Sequence, residues 1–202
     1  MDLKIEDLFK KRKGKIIGDF KESSVMILLK EINEEYYICF EVRAFNLKHQ
    51  PGDVCLPGGK IEPEESARQA SIRETKEELN LEDKDFELIG EMDYFISPYN
   101  SIMYGFVGKL KKAEIIPSPS EVDHLFWVPV KFFMENEPLA FDIEMNPFMK
   151  TNFPYHLIRG GENYKFHKGK LQQLFYQYEE YVIWGFTALM VKRFVDIIKA
   201  SE

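Results

Sequence analysis

Gly59 to Leu81 reads GKIEPEESARQASIRETKEELNL, a glycine loop running into a segment whose acidic residues are not scattered at random. At 100° per residue, Glu74, Glu77 and Glu78 stand at i, i+3 and i+4 and share about one third of a helix circumference. Like charges so placed repel. A bound hard cation is the economical reason to keep three of them, since Mg²⁺ is held by carboxylate oxygens and usually by substrate phosphates. The same projection puts the small residues Ala67, Ala70 and Ser71 on the glutamate face, with Ile72, Thr75 and Leu79 opposite. Small residues there admit another element, so the stripe is expected to line a cleft. Arg73, four residues before Glu77, either holds a carboxylate in place or makes an ordinary helical ion pair.

Outward from this segment the chain alternates strands and helices. Ser24–Leu29 and Tyr36–Arg43 are rich in β-branched and aromatic residues and read as paired strands about Asn33-Glu34-Glu35. Phe45–Lys60, with Pro51-Gly52 and Pro57-Gly58-Gly59, is a loop leading into a helix over Glu64–Leu79. Phe86–Ile96 and Ile102–Leu110 form a long hairpin about Ser97-Pro98-Tyr99-Asn100, Lys111–Glu121 a surface loop, and Leu125–Val130 a short strand. Residues 136–170 hold aromatic fragments divided by prolines, with a hairpin expected at Gly160-Gly161. Glu179–Lys199 reads as a second long, core-packed helix, and residues 2–12 as a short amphipathic one. The order implies an α/β fold with a mixed sheet between helices. Residues 1–22 form a helical extension and 23–202 one domain.

Composition narrows the function. Thirty-four acidic residues against 27 basic ones give a net charge of −7, so a polyanion must be met by a local basic cluster, and nucleic acid is not an expected partner. No apolar run is long enough to span a bilayer, so no membrane partner is expected. The start MDLKIEDLFKKRKGK carries charges where a signal peptide needs an apolar core, and Cys39 and Cys55 lack CxxC spacing. A cytoplasmic protein with free thiols is the expectation. The four histidines show no zinc-binding spacing. Cys55 reads as a packed thiol. Phe148, Phe153, Tyr155, Tyr164 and Phe166 either stack on a base or hold an irregular region together.

Gly59, Glu65, Arg73-Glu74, Glu77-Glu78 and Leu81, at these spacings, resemble the Nudix box of the Nudix hydrolases. With the starting glycine fixed, six further matches to residue types each used at about 6–7% have a chance probability on the order of 10⁻⁷ per start position. Thr75 stands where the family has an aliphatic residue, and Asn80 where it has glycine. Asparagine is the next-best residue for a left-handed helix end. Thr75 keeps a methyl and β-branching, so a small packing loss is expected.

The resemblance implies a Nudix fold, an α/β/α sandwich, and cleavage of a nucleoside diphosphate linked to another group with Mg²⁺ or Mn²⁺. It makes Glu74 and Glu78 the principal metal ligands, Glu77 a further ligand or base, the Gly59 carbonyl a metal contact, and Arg73 the residue that orients the glutamates. An ideal helix puts Glu65 away from the triplet, so its place depends on where the loop ends.

Upstream, Arg43-Ala44, Lys48, Gly52 and Leu56-Pro57-Gly58-Gly59 resemble the extra motif of the coenzyme A pyrophosphatase branch, with lysine for its arginine at Lys48. Cys39-Phe40-Glu41 departs from the branch's leucine-leucine-threonine run. Arg43, Lys48, Gly52 and Gly58 become candidate substrate contacts: cationic side chains beside a glycine loop whose N–H groups can face phosphate. Downstream, Glu121-Val122, Phe126-Trp127-Val128-Pro129 and Tyr181–Ala188 resemble the same branch, and Glu121 is either a distal metal carboxylate or a solvated loop residue. The implied reaction releases 3′,5′-ADP and 4′-phosphopantetheine from coenzyme A. ADP-ribose or a dinucleoside polyphosphate as substrate, and nucleotide binding without cleavage, are the alternatives.

Overall fold

The computed structural model describes residues 5–201. Helix α1 (Ile5–Lys11) leads into β1 (Lys21–Ile32), β2 (Glu35–Arg43), β3 (Val54–Cys55) and β4 (Gly58–Lys60). Helix α2 (Ala67–Leu79), β5 (Phe86–Glu91), β6 (Phe95–Ser97), β7 (Ser101–Leu110), β8 (Val122–Pro129) and α3 (Val130–Glu135) follow. β9 (Leu139–Met145), β10 (Gly169–Tyr178), β11 (Tyr181–Trp184) and α4 (Gly185–Lys199) complete the chain.

The main sheet is mixed, in the order β3-β2-β1-β7-β5, with β4 on β1, β6 on β7 and β8 on β2. β1 and β2 pair antiparallel, Leu29 opposite Ile38, across a tight turn in which Asn33 and Glu34 both take positive φ. β1 and β7 run parallel. Side chains alternate across a strand, and β1 is apolar on both faces. Its Ile27 and Leu29 join the cluster built on Ala188, Val191, Phe194 and Val195 of α4, while Met26 and Leu28 join Leu79, Leu81, Phe86 and Leu110 on the α2 side. Each such fully buried aliphatic side chain contributes roughly 1.5–3 kcal/mol. The sheet is thus held between α2 and α4, the expected α/β/α sandwich.

Several elements differ from expectation. Helix α2 starts at Ala67, not Glu64, because Ser66 and Gln69 form a capping box and Glu64 takes a φ of +68°. β8 starts at Val122, and Val130 already belongs to α3. Residues 179–184 are not helical: Glu179, at φ +52°, turns the chain, and the β-prone Val182-Ile183-Trp184 pair with β10 before Gly185 opens α4. Gly160-Gly161 makes no hairpin; both glycines, at positive φ, lie among short 3₁₀ turns, and the strands that pair across this region are β9 and β10. Helix α1 ends at Lys11 rather than at residue 12, and its Leu8 and Phe9 face solvent; residues 2–4 lie outside the described residues.

Asn80 closes α2 in the left-handed conformation (φ 49°, ψ 49°), as its place in the motif predicts. Thr75 departs further than a packing loss: it is fully buried and its Oγ1 has no hydrogen-bond partner, which costs about 1–3 kcal/mol.

Candidate active site

The site begins where β4 crosses beneath α2. β4 pairs with β1, Ser24 opposite Gly59 and Val25 opposite Gly58, and the Ser24 hydroxyl donates to the Ala67 carbonyl at 2.7 Å. Gly58 is required there: at φ +151° a Cβ would lie 2.2 Å from the Ser24 carbonyl oxygen. A Cβ on Gly59 would lie 2.5 Å from the Glu74 carboxyl carbon. The glycine loop thus comes up against α2 at Glu74, while β1 meets it at Ala67.

The three box glutamates divide. Glu78 is 4% exposed and accepts from the Gly58 N–H at 2.8 Å. Burial, reinforced by the charges of Glu74 and Glu121, pushes its carboxyl up to about 8 against the opposing Gly58 hydrogen bond. The Glu74 side chain is 15% exposed, and its carboxyl is raised by burial against the pull of Arg73. The Glu77 side chain, 56% exposed, stands at the rim, so the expected single stripe is two inward carboxylates and one outward.

Arg73 is the hub that holds them. Its guanidinium donates through Nε and Nη2 to both oxygens of Glu65 at 2.9 and 3.0 Å, through Nη1 to Glu77 at 3.0 Å, and through Nη2 to the Lys60 carbonyl at 3.1 Å. Nη1 also pairs with Glu74 at 2.9 Å. Glu65 reaches this hub because it precedes the helix. The helical projection that removes it from the cluster does not apply to a residue outside α2.

One carboxylate is new. Glu41, in the middle of β2, is 1% exposed; its Oε1 has no partner and its Oε2 faces the Cys55 thiol at 3.8 Å. Burial and then the charge of Glu78 push its carboxyl far above the usual range, against the pull of Arg43. Burial, with the same two carboxylates, also pushes the Cys55 thiol up. Strand parity was the available signal. Cys39 packs on the α2 side of the sheet, so Glu41, two residues on, faces the underside of Glu78.

Glu121 is exposed at the edge, its carbonyl accepting from the Ala44 N–H at 2.9 Å, and its charge is felt by Glu41, Glu74 and Glu78. A register shift between β2 and β8 falls at Val42/Arg43, just before Arg43 takes its place opposite Val122. The guanidinium Nε of Arg43 is buried without a partner.

These carboxylates do not line the main cleft. On the α4 side of the glycine loop a cleft of about 560 Å³ is walled by Arg43, Gly58 and Gly59 at one end and by Met103, Phe175, Trp184 and Phe186 elsewhere. Lys48, predicted to touch substrate, is exposed and outside this wall. Gly52, at φ +75°, packs under the Phe45 ring and lines a neighbouring groove. Of the aromatics between 136 and 170, Phe153, Tyr155, Tyr164 and Phe166 pack on one another and Phe148 points outward. The cleft's aromatic residues are others, from distant segments.

The donor set suits a hard divalent cation: oxygen only, with buried Glu41 and Glu78 mutually repelling and one oxygen unpartnered. Among the described residues no three His, Cys, Asp or Glu side chains already form a cage. Mg²⁺ characteristically leaves positions for water and substrate phosphate, so an incomplete protein cage fits it.

A NUDIX domain model matches residues 21–150. The peroxisomal coenzyme A diphosphatase ndx-8 of Caenorhabditis elegans is 30% identical over 121 residues, covering 57% of this chain and 52% of that protein. The peroxisomal coenzyme A diphosphatase NUDT7 of Mus musculus is 31% identical over 113 residues, covering 55% and 48%. The chain spans about half the length of these curated relatives. A MutT/nudix family protein from Enterococcus faecalis superimposes with a TM-score of 0.53 at 12% identity, over 96% of this chain and 68% of that one, a likeness of fold. With the glycine loop, Arg73 hub and inward glutamates in place and the domain model covering more than half of its length, this chain belongs to the Nudix family.

Proposed function

We propose that the protein is a divalent-metal-dependent pyrophosphohydrolase that cleaves the diphosphate of coenzyme A or its derivatives to 3′,5′-ADP and 4′-phosphopantetheine. The observation that carries this reading is a juxtaposition. Gly58 and Gly59 form a partition with carboxylates of α2 behind it and, in front, a cleft in which Arg43 is the cationic residue and most other walls are apolar. A diphosphate flanked by two organic arms needs that combination of charge at the centre and apolar surface beside it. The relatives named as coenzyme A diphosphatases add support.

Glu74 and Glu78 would hold the metal, with Glu41 and Glu121 adding negative charge around them. When bound, such an ion supplies charge neutralisation at the diphosphate and acidifies water. The chain's own residues do the remainder. Arg73 fixes the rotamers of Glu65, Glu74 and Glu77, and the Arg43 guanidinium meets phosphate oxygens from the cleft side.

Lys48 outside the cleft weakens the upstream motif and keeps ADP-ribose and dinucleoside polyphosphates as the rival substrates. Chromatographic product analysis with Mg²⁺ and coenzyme A, ADP-ribose and diadenosine polyphosphates in parallel separates them. Preferential release of 3′,5′-ADP is expected. Cleavage confined to another nucleotide discards coenzyme A, and binding without any cleavage turns the reading into that of a nucleotide-recognising regulator.

A further inference from the structure

The cleft wall contributed by β10 and β11 is apolar at Phe175 and Trp184, whose rings stack 6.0 Å apart and 5° from parallel. Two residues before Phe175, on the same face of β10, stands Gln173, also lining the cleft. Its Oε1 is buried without a hydrogen-bond partner. Gly185, at the start of α4, comes against this oxygen: a Cβ built there would lie 3.8 Å from it.

Buried amide oxygens are nearly always paired, because an unpaired acceptor loses its water and gains nothing in return. A glutamine retained for structure would bond to the backbone or a side chain of its own chain. The Gln173 oxygen accepts nothing from within the protein, and it borders a cleft whose adjacent rings offer flat apolar faces. Such faces take planar groups, and an amide oxygen beside them selects a planar group that carries an N–H.

We propose that Gln173 is a specificity-determining residue that accepts a hydrogen bond from a planar N–H donor of the substrate, either the adenine amino group or an amide of the pantetheine arm. It lies outside the stretch matched by the domain model. The inference rests on the cleft being the substrate site proposed above.

Calorimetric titration of the full chain with 3′,5′-ADP, 4′-phosphopantetheine and ADP-ribose tests it without turnover. Gln173→Leu removes the acceptor at similar size, and should unfold no lower than wild type while weakening one class of ligand about tenfold, the loss of one neutral hydrogen bond. A loss shared by 3′,5′-ADP and ADP-ribose assigns the adenine, and a loss confined to 4′-phosphopantetheine assigns the amide arm. Gln173→Met makes the same deletion should leucine disturb the strand. Affinities within twofold of wild type for every ligand, in either folded variant, overturn the proposal. Wild-type protein that binds ADP-ribose but neither coenzyme A half overturns the coenzyme A reading alone, and the variants on ADP-ribose then decide Gln173. Wild-type protein that binds none of the three overturns both.

Discussion

The two sides of the glycine partition are built by different rules. Behind it, most of the site comes from one short segment: Glu65, Arg73, Glu74, Glu77 and Glu78 lie within the loop and helix α2, and the Arg73 guanidinium fixes three of the four carboxylates. In front, Met103, Phe175, Trp184, Phe186 and Gln173 are brought together from β7, β10, β11 and α4. The first side is charged and locally encoded, so it can be retained while the rest of the chain changes. The second is apolar and long-range, and it is where a family with one chemistry can differ in substrate. The contrast predicts that changes behind the partition act on turnover and changes in front act on affinity.

The largest effect tests the charged side. Glu78→Gln, which takes a charged oxygen from the proposed metal site, should reduce kcat by about 10²–10³-fold, the range for loss of one electrostatic stabiliser of the transition state, while unfolding in urea at no lower concentration than wild type. Turnover within a few-fold of wild type would remove Glu78 from the chemistry. Gly58→Ala breaks the partition itself. A methyl group 2.2 Å from the Ser24 oxygen should cost at least about 2 kcal/mol of stability, seen as a lower urea midpoint, and an unchanged midpoint would show that the loop shifts freely.

pH sharpens the same comparison. Glu78 binds its proton more tightly folded, at about 8, than unfolded, at about 4.5, and Glu41 is shifted in the same direction. The contribution of Glu78 to stability is therefore complete below about pH 4.5 and is lost as pH rises through about 8, and that of Glu41 has the same sign. Metal-free protein should lose on the order of a few kcal/mol across that window, and Mg²⁺ should raise Tm more at pH 8 than at pH 5. A Tm that is flat in pH and equally indifferent to Mg²⁺ would contradict the carboxylate cluster. On the apolar side, Trp184→Ala should raise KM about tenfold with kcat within two- to threefold, the outcome expected for lost uniform binding. An equal fall in kcat at constant KM would place Trp184 in the reaction itself. The smallest effect is expected of Lys48→Ala, about twofold or less in KM; a tenfold rise would show that the loop carrying Lys48 closes over substrate.

Legibility followed the same division. Alternation in β1 and β2 and the i, i+3, i+4 glutamates could be read because both are periodic over a few residues. The place of Glu65 stays open in the sequence because the helical projection ends at the cap Ser66, and Trp184 reads as helical because the strand before α4 is apolar in either geometry. Glu41 lay in plain sight as a departure from the branch pattern, but an acidic residue in a strand acquires meaning only from what it faces.

By itself the sequence determined the α/β/α layering, the glycine loop, the asparagine cap and the charged helix, because spacing along the chain fixes which side chains share a face. Only the tertiary structure decided that Glu78 turns inward while Glu77 does not, that Glu41 lies beneath it with one oxygen unpaired, and that apolar residues from four separate elements wall the cleft. Burial is the physical reason. It is a property of neighbours brought from far along the chain, and it turns an ordinary carboxylate or amide into one that must find a proton, an ion or a ligand.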